Sequence, residues 1–233
     1  MPKYTQILFD ADNTLFDFTE SSHRAFHDLL THFGVDQDTD LYQIYQPINH
    51  KAWKRLESNE IDMDGVRTTR WQGFWEAIGL SYDSKLSNDI YLENLVKHSF
   101  LLEDTTSILD HLSNHKELSL HIITNGMKEA QRPRISKLGL EKYFETITVS
   151  DEIGCAKPDT RFFDHVIKCI GQQEKSQYLI VGDSLHSDIQ GGLNYDLDTC
   201  WFDPKKIENN TSIKPSYTIT SLLELKEIIE VDV

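Results

Sequence analysis

The sequence predicts an α/β fold: a doubly wound parallel sheet with an inserted all-helical cap domain. Two observations carry this prediction. From about residue 104 to the C-terminus, short apolar runs of strand type alternate with helical patterns, and such alternation favours a parallel sheet covered on both faces. One further strand-like run, Tyr4 to Phe9, precedes a long block in which helical patterns dominate.

The strand Tyr4 to Phe9 belongs with the C-terminal part, so the helical block interrupts the α/β domain in sequence. We expect a core domain of residues 1–16 and 101–233 and a cap domain of residues 17–100. The cap contains an aromatic stripe with the i, i+3, i+4, i+7 spacing of a helix face, formed by Trp71, Phe74, Trp75 and Ile78. Such stripes are usually buried, so we expect this one in the cap core rather than stacked on a nucleobase.

After the cap, the predicted elements alternate along the chain. Strands are predicted at 118–124, 147–149, 178–181, 199–202 and 217–219. Helices are predicted at 108–112, 128–138, 161–170, 188–195 and 221–229. Ligands of open parallel sheets bind beyond the carboxyl ends of the strands. Asp10, Thr124 and Asp183 each stand at such an end, which predicts a site there.

Asp10 and Asp12 leave the first strand two residues apart. Residues i and i+2 of an extended chain point the same way, so these two like charges would share one region of space. Such a pair repels unless one carboxyl keeps its proton or both share a cation. The pattern therefore favours metal-assisted nucleophilic chemistry, while a polar turn rich in helix-capping residues is the alternative.

A second pair of acids follows the strand at 178–181, in the segment from Gly182 and Asp183 to Asp188. Gly182 allows the backbone to pass close to a ligand, and Ser187 or Asp188 is placed to begin the next helix. Several carboxylates at one sheet edge are unfavourable unless a hard divalent cation lies among them. Oxygen ligands favour Mg²⁺, because zinc is usually bound by His or Cys.

Two further segments at the same edge offer groups for an anion. Thr124 ends the second core strand, and Asn125 and Gly126 carry N–H groups near the start of a helix, whose positive end attracts anions. Lys157 is the one basic residue that the predicted strands place at this edge. Each has a simpler alternative, namely a helix-capping Thr and a solvated Lys.

The composition argues against several classes of function. A net charge of −15 disfavours nucleic-acid polymers, because binding them needs clustered Lys and Arg. No apolar run reaches the roughly 18 residues of a membrane span, and no signal-peptide core follows Met1, so we expect a cytoplasmic protein. The cysteines Cys155, Cys169 and Cys200 contain no CxxC pair, which argues against a disulfide framework and a structural zinc site.

Taken together, Asp-x-Asp, Thr, Lys and Gly-Asp-x-x-x-x-Asp resemble, in this order, the four motifs of the haloacid dehalogenase superfamily. The resemblance extends along essentially the whole chain, and the helical block resembles the C1 cap of that superfamily. The segments Asp10 to Phe16 and Gly191 to Trp201 resemble the 5′-nucleotidase branch that acts on pyrimidine nucleoside monophosphates. The resemblance implies a Mg²⁺-dependent phosphomonoesterase whose substrate is a small phosphorylated metabolite, here a nucleoside monophosphate.

The resemblance also implies a role for each motif residue. Asp10 would attack phosphorus and become an aspartyl phosphate, and Asp12 would act first as general acid and then as general base. The carboxylates of Asp10 and Asp183 and the backbone carbonyl of Asp12 would bind Mg²⁺, with Asp188 orienting these ligands. The groups that would neutralise the phosphoryl oxygens are Thr124, Asn125 and Lys157.

Three alternatives share part of this evidence. A sugar phosphate or another small metabolite could replace the nucleotide, although Asn13 stands where the sugar-phosphate mutases usually have Gly. A 2-haloacid dehalogenase uses the same first Asp, but it lacks an acid at the position of Asp12 and needs no Mg²⁺. A non-catalytic binding module would lack the nucleophile or the acid, and this chain has both.

Overall fold

A computed structural model describes residues 2–36 and 39–229. Residues 1 and 230–233 of the predicted core domain, and residues 37–38 of the predicted cap, lie outside the described residues. The described residues form one six-stranded sheet of β1 (Gln6–Phe9), β2 (Ser119–Thr124), β3 (Thr146–Val149), β4 (Tyr178–Gly182), β5 (Asp198–Phe202) and β6 (Tyr217–Ile219). The strand order is β3-β2-β1-β4-β5-β6 and all neighbours are parallel, which confirms the predicted fold class.

Strand β1 lies where the order of strands across the sheet reverses. Strands β2 and β3 extend to one side of it, and β4, β5 and β6 extend to the other. Phe9, the last residue of β1, is level with Ile122 on β2 and Val181 on β4. The residues after Phe9 therefore leave the sheet between the carboxyl ends of two neighbouring strands, which is where open α/β sheets bind ligands.

Four helices follow β1 in sequence and form the cap: α1 (Phe18–His32), α2 (Tyr42–Glu57), α3 (Met63–Ala77) and α4 (Ser84–Lys97). Three of them begin at an aspartate whose side chain accepts a hydrogen bond from a first-turn N–H, namely Asp17, Asp62 and Asp83. The ring of Tyr45 lies 4.8 Å from the rings of Phe26 and Trp71. The predicted stripe on α3 is part of this aromatic core, as expected.

The rest of the chain adds the helices α5 (Thr105–Ser113), α6 (Lys128–Lys137), α7 (Ser150–Ile153), α8 (Thr160–Ile170), α9 (Gly191–Asn194) and α10 (Leu225–Ile229). It also adds short 3₁₀ turns at Glu141–Tyr143, Lys175–Gln177 and Leu222–Glu224. Ile7 and Phe9 of β1 pack in one hydrophobic cluster with Ile108 of α5. Leu8 packs in another cluster with Phe162 of α8. Helices therefore cover both faces of the sheet.

The helix predicted after β4 has a different start and a different type. The sequence predicts a helix over 188–195 that Ser187 or Asp188 begins, whereas the structure has a π-helical turn, Leu185–Gln190, followed directly by α9. The turn begins earlier because the Ser184 hydroxyl accepts a hydrogen bond from the Ser187 N–H at 3.1 Å. Asp188 does not cap the turn, since its carboxylate accepts the Ser184 N–H at 3.0 Å.

Most of the other predicted elements agree more closely with the structure, although the helix predicted over 108–112 begins three residues earlier, at Thr105. The strand bounds match to within two residues, and the predicted helix over 221–229 divides into the Leu222–Glu224 turn and α10. Within residues 2–36 and 39–229, no helix has the length and apolarity needed to cross a membrane. The three cysteines are free thiols, and burial raises the pKa of Cys200.

Candidate active site

Three carboxylates converge beyond the carboxyl ends of β1 and β4. Oxygens of Asp10, Asp183 and Asp188 lie within 4.8 Å of one another. The Asp10 N–H donates to the Val181 carbonyl at 2.9 Å, so the backbone of the first acid is held against β4. The adjacency of two parallel strands thus brings together acids that are more than 170 residues apart in sequence.

Lys157 lies inside this acidic cluster. Its Nζ donates to Asp10 Oδ1, to Asp188 Oδ1 and to the Ile123 carbonyl, each at 2.7 Å. Lys157 is 1% exposed, and burial alone would lower its pKa. The charges of Asp10 and Asp188 outweigh burial, so the pKa of Lys157 is raised and the ammonium is retained.

One ammonium does not balance three carboxylates. Burial raises the pKa of Asp10 to about 7, against the lowering effect of Lys157 and with a further rise from Asp188. Burial and the charge of Asp10 likewise raise the pKa of Asp183. Like charges in a buried site favour proton uptake or cation binding. The cluster offers carboxylate oxygens, so the residues present fit a hard divalent cation such as Mg²⁺.

Asp188 differs from the other two acids, because both of its oxygens have hydrogen-bond donors. Oδ1 accepts from Lys157, and Oδ2 accepts from the Ser184 N–H. Asp188 is fully buried. This geometry supports the predicted role of orienting the ligands of the cation rather than that of a direct ligand.

Two residues of α6 hold the side chain of Asp12. Its Oδ1 accepts from Arg134 at 2.6 Å, and its Oδ2 accepts from Gln131 at 2.8 Å. The intervening Asn13 has a φ of +60°, a left-handed conformation that Asn tolerates better than most residues. Both carboxylate oxygens of Asp12 thus have donors, and the contact of its backbone carbonyl with a cation stays a prediction.

Gln131 and Arg134 on α6 are site residues that the sequence reasoning missed. Gln131 donates to Thr124 Oγ1 at 2.7 Å as well as to Asp12, and its own Oε1 accepts from Arg134 at 2.9 Å. Arg134 is fully buried. The prediction that Lys157 is the one basic residue at this edge is therefore wrong. The i, i+3 spacing of Gln131 and Arg134, on the helix that follows Thr124, is the sequence signal that places both side chains on one helix face.

Asn125 holds the backbone of the segment that carries Lys157. Its Nδ2 donates to the Lys157 carbonyl at 2.7 Å, and its Oδ1 accepts the Lys157 N–H at 2.8 Å. The side-chain amide of Asn125 is therefore occupied, which leaves the backbone N–H for an anion. These two bonds fix Lys157 relative to the end of β2.

Two glycines at this edge are required by close approach of neighbouring side chains. A Cβ on Gly126 would lie 2.5 Å from Gln131 Cγ, and a Cβ on Gly182 would overlap the carboxylate of Asp188. Any larger residue would displace one of these two side chains. The glycines that follow β2 and end β4 thus allow the polar groups to pack directly on the backbone.

A cavity of about 400 Å³ joins this cluster to the cap, a size in the usual range for small-molecule sites. The cap contributes side chains from α2, α3 and α4 to its wall, among them Gln46, Asn49, His50, Trp53, Glu57, Arg70 and Tyr91. Burial raises the pKa of Glu57 to about 7, and the charge of Asp188 adds to that rise. The cavity therefore has an acidic floor and a mixed polar and aromatic cap wall.

Four further side chains at the entry to the cap and on its helices have different positions. Phe18 and Trp53 line the cavity. Phe16 is buried, with its ring 4.3 Å from the Arg134 guanidinium carbon. Arg67 is not in the cavity wall, since it forms an ion pair with Asp151 of α7 at 2.6 Å. This pair joins the cap to the part of the chain that carries Lys157.

Comparison with known proteins gives consistent results. The profile of a family described as "Haloacid dehalogenase-like hydrolase" matches residues 7–202. The pyrimidine 5′-nucleotidase PynA of Streptococcus pneumoniae is 31% identical over 97% of this chain and 95% of its own length. The pyrimidine 5′-nucleotidase YjjG of Escherichia coli is 30% identical over 97% of this chain and 98% of its own length.

A third relative is the HAD-hydrolase YfnB of Bacillus subtilis. It is 32% identical over 100% of this chain and 98% of its own length. A crystal structure of YfnB bound to magnesium matches with a TM-score of 0.90, covering 98% of this chain and 99% of that one. The likeness therefore includes both the sheet and the helical cap.

We expect Gly182→Ala to weaken Mg²⁺ binding by about tenfold or more, because the added methyl group displaces the Asp188 carboxylate from Lys157. Isothermal titration calorimetry with Mg²⁺ measures this change. Gln172→Ala is the control, because it shortens an exposed side chain in the loop after α8. Equal Mg²⁺ affinity of Gly182→Ala and wild type would contradict the packing argument.

In the metal-free protein, the contribution of Asp10 to stability should fall as the pH rises from about 4 to 7. The folded protein holds the pKa of Asp10 near 7, above its unfolded value, so folding favours the protonated acid and this contribution vanishes on ionisation. A bound Mg²⁺ would stabilise the ionised form of Asp10. The gain in melting temperature on adding Mg²⁺ should therefore be larger at pH 8 than at pH 5.5, as measured by differential scanning fluorimetry. Gains of equal size, or a larger gain at pH 5.5, would be inconsistent with a cation at this cluster.

Proposed function

This chain belongs to the haloacid dehalogenase-like hydrolases, and we propose that within this family it is a Mg²⁺-dependent phosphomonoesterase that hydrolyses pyrimidine nucleoside 5′-monophosphates. The observation that carries the proposal is the convergence of Asp10, Asp183 and Asp188 around Lys157, where the strand order reverses. The near full-length similarity to two pyrimidine 5′-nucleotidases supports the choice of substrate.

In the proposed first step, a carboxylate oxygen of Asp10 attacks the phosphorus atom of the substrate. A bond forms between Asp10 and phosphorus while the ester bond to the 5′-oxygen breaks. Asp12 gives a proton to that leaving oxygen, so the nucleoside departs as a neutral alcohol. The product on the enzyme is an aspartyl phosphate.

In the proposed second step, Asp12 takes a proton from water, and the water oxygen attacks the phosphorus atom of the aspartyl phosphate. The bond between phosphorus and Asp10 breaks, which releases inorganic phosphate and restores both acids. Both oxygens of Asp12 are held in the structure, one by Gln131 and one by Arg134. Asp12 must give up at least one of these bonds to transfer a proton.

The negative charge of the phosphoryl group requires several stabilising groups. Thr124, the Asn125 N–H and Lys157 would contact its oxygens. Asp10, Asp183 and the backbone carbonyl of Asp12 would hold Mg²⁺, with Asp188 orienting them. When bound, Mg²⁺ supplies further electrostatic stabilisation of the charge on the phosphoryl oxygens.

We further propose that residues 1–16 and 101–233 act as the catalytic domain and residues 17–100 as the cap that selects the substrate. The cavity supports this division, because the acids form its floor and α2, α3 and α4 supply much of its wall. A substrate enclosed between the catalytic domain and the cap is shielded from bulk water. This shielding favours phosphoryl transfer to Asp10 over direct attack of water on the substrate.

The alternatives are less well supported. A sugar phosphate fits the acidic floor equally well, so the floor does not distinguish it from a nucleotide. The cap wall and the two nucleotidase relatives are what favour the nucleotide. Dehalogenase chemistry does not explain Asp12, which is an acid held by two dedicated side chains. A non-catalytic module would not need a lysine buried between two acids, and burying these charges carries a desolvation cost.

Phosphate release from a panel of phosphomonoesters tests the proposed substrate. We expect dUMP, UMP and dTMP to be hydrolysed with higher kcat/KM than glucose 6-phosphate or ribose 5-phosphate, and we expect EDTA to remove all of these activities. A preference for a hexose phosphate would instead favour the sugar-phosphate alternative. Undiminished turnover in EDTA would exclude the role of Mg²⁺.

Asp10→Asn should lower phosphate release by about 10⁴-fold or more, because the amide is a poor nucleophile and the covalent intermediate cannot form. The variant should keep the wild-type circular dichroism spectrum, since Asn preserves the size of the side chain. Asp89→Asn, an exposed change on α4, is the matched control and should retain full activity. Full activity of Asp10→Asn would overturn the mechanism.

A further inference from the structure

Arg70 of α3 is a buried charge with neutral partners. It is 2% exposed. One terminal nitrogen donates to Asn49 Oδ1 at 3.1 Å, and the other donates to Asn88 Oδ1 at 2.7 Å and lies 3.8 Å from the sulfur of Met127. The partners of this guanidinium are therefore amides and a thioether.

Arg70 has no acidic counterpart within residues 2–36 and 39–229, because none of the ion pairs there includes it. Its Nε is buried and has no hydrogen-bond partner. The rings of Trp71 and Tyr91, 5.2 and 5.0 Å from the guanidinium carbon, attract the cation but do not accept all of its N–H groups. Buried arginines are normally paired, as Arg134 is with Asp12. The charge and one donor of Arg70 are thus left for a ligand.

The position of Arg70 indicates which part of a ligand it meets. It lines the same cavity as Asp10, but it lies on the cap helix α3. The phosphoryl group is assigned to the floor near Lys157, so the cap wall faces the organic part of the substrate. Asn49, beside Arg70, also lines the cavity. Because arginine only donates, Asn49 must present its oxygen to Arg70, which leaves its NH₂ group as a second donor.

We propose that Arg70 is a specificity-determining residue that donates a charge-assisted hydrogen bond to an acceptor oxygen on the leaving group, with Asn49 as a second donor. The proposal rests on the function proposed above, in which that oxygen is a carbonyl of the pyrimidine ring. Uracil and thymine carry two ring carbonyl oxygens, cytosine carries one, and adenine carries none. Hydrogen bonds to charged groups are stronger than neutral ones, so Arg70 would favour bases that carry a carbonyl.

The test compares UMP with phenyl phosphate, whose leaving group has no acceptor oxygen other than the ester oxygen. For Arg70→Met, the ratio of kcat/KM for UMP to kcat/KM for phenyl phosphate should fall by about 10- to 100-fold, the equivalent of one charge-assisted hydrogen bond. Arg70→Lys keeps the charge but loses the fork of donors, and its ratio should lie between those of Arg70→Met and wild type. Arg24→Met is the control, because Arg24 is an exposed cap arginine paired with Glu20.

An unchanged ratio in both Arg70 variants would overturn the proposal. Loss of a buried arginine can also disturb folding, so each variant is first compared with wild type by thermal melting. If Arg70→Met does not fold, the ratio for Arg70→Lys decides the question. Equal losses for both substrates would show a structural role and would also overturn the proposal.

The proposed function can fail separately from the role of Arg70. Wild-type protein that hydrolyses phenyl phosphate but prefers 3-phosphoglycerate to every nucleotide would contradict the nucleotidase proposal. In that case a carboxylate, rather than a base carbonyl, would be the acceptor oxygen. The role of Arg70 would then stand if Arg70→Met removed that preference, and it would fail if the preference remained.

Discussion

The structure depends on how the charge of three neighbouring carboxylates is balanced at the end of a buried sheet. Asp10, Asp183 and Asp188 are brought together by the parallel pairing of β1 and β4, and their mutual repulsion is strong because the surroundings are poor in water. Lys157 compensates part of this charge through direct bonds to two of the acids. The remainder is what a divalent cation would neutralise, so the same imbalance that opposes folding of the empty site favours metal binding.

Several features of the core serve to keep that arrangement in place. Asn125 fixes the backbone of Lys157, and the absence of a side chain on Gly182 lets Asp188 lie against the end of β4. A second network, separate from Asp10, Asp183 and Asp188, connects Thr124, Gln131, Arg134 and Asp12. Arg134 also lies 5.7 Å from the ring of Phe18, the first residue of α1. The side chain that holds Asp12 therefore contacts the place where the chain enters the cap.

Much of the core could be predicted from the sequence because its signals are local. Apolar runs bounded by polar turns indicated the strands, and Asp10, Asp12 and Asp183 follow them directly, so strand order was not needed to place these acids at one edge. Gln131, Arg134 and Arg70 were missed because their roles arise from contacts between helices and loops distant in sequence. The early start at Leu185 was missed because Ser184, rather than Asp188, proved to be the capping group.

A crystal structure of the protein grown with Mn²⁺, a redox-stable and anomalously scattering substitute for Mg²⁺, tests the central claim most directly. The account predicts one strong anomalous peak at about 2.2 Å from carboxylate oxygens of both Asp10 and Asp183. Asp188 should remain bonded to Lys157 and Ser184 in that structure. An absence of anomalous density between Asp10 and Asp183 at saturating Mn²⁺ would contradict it.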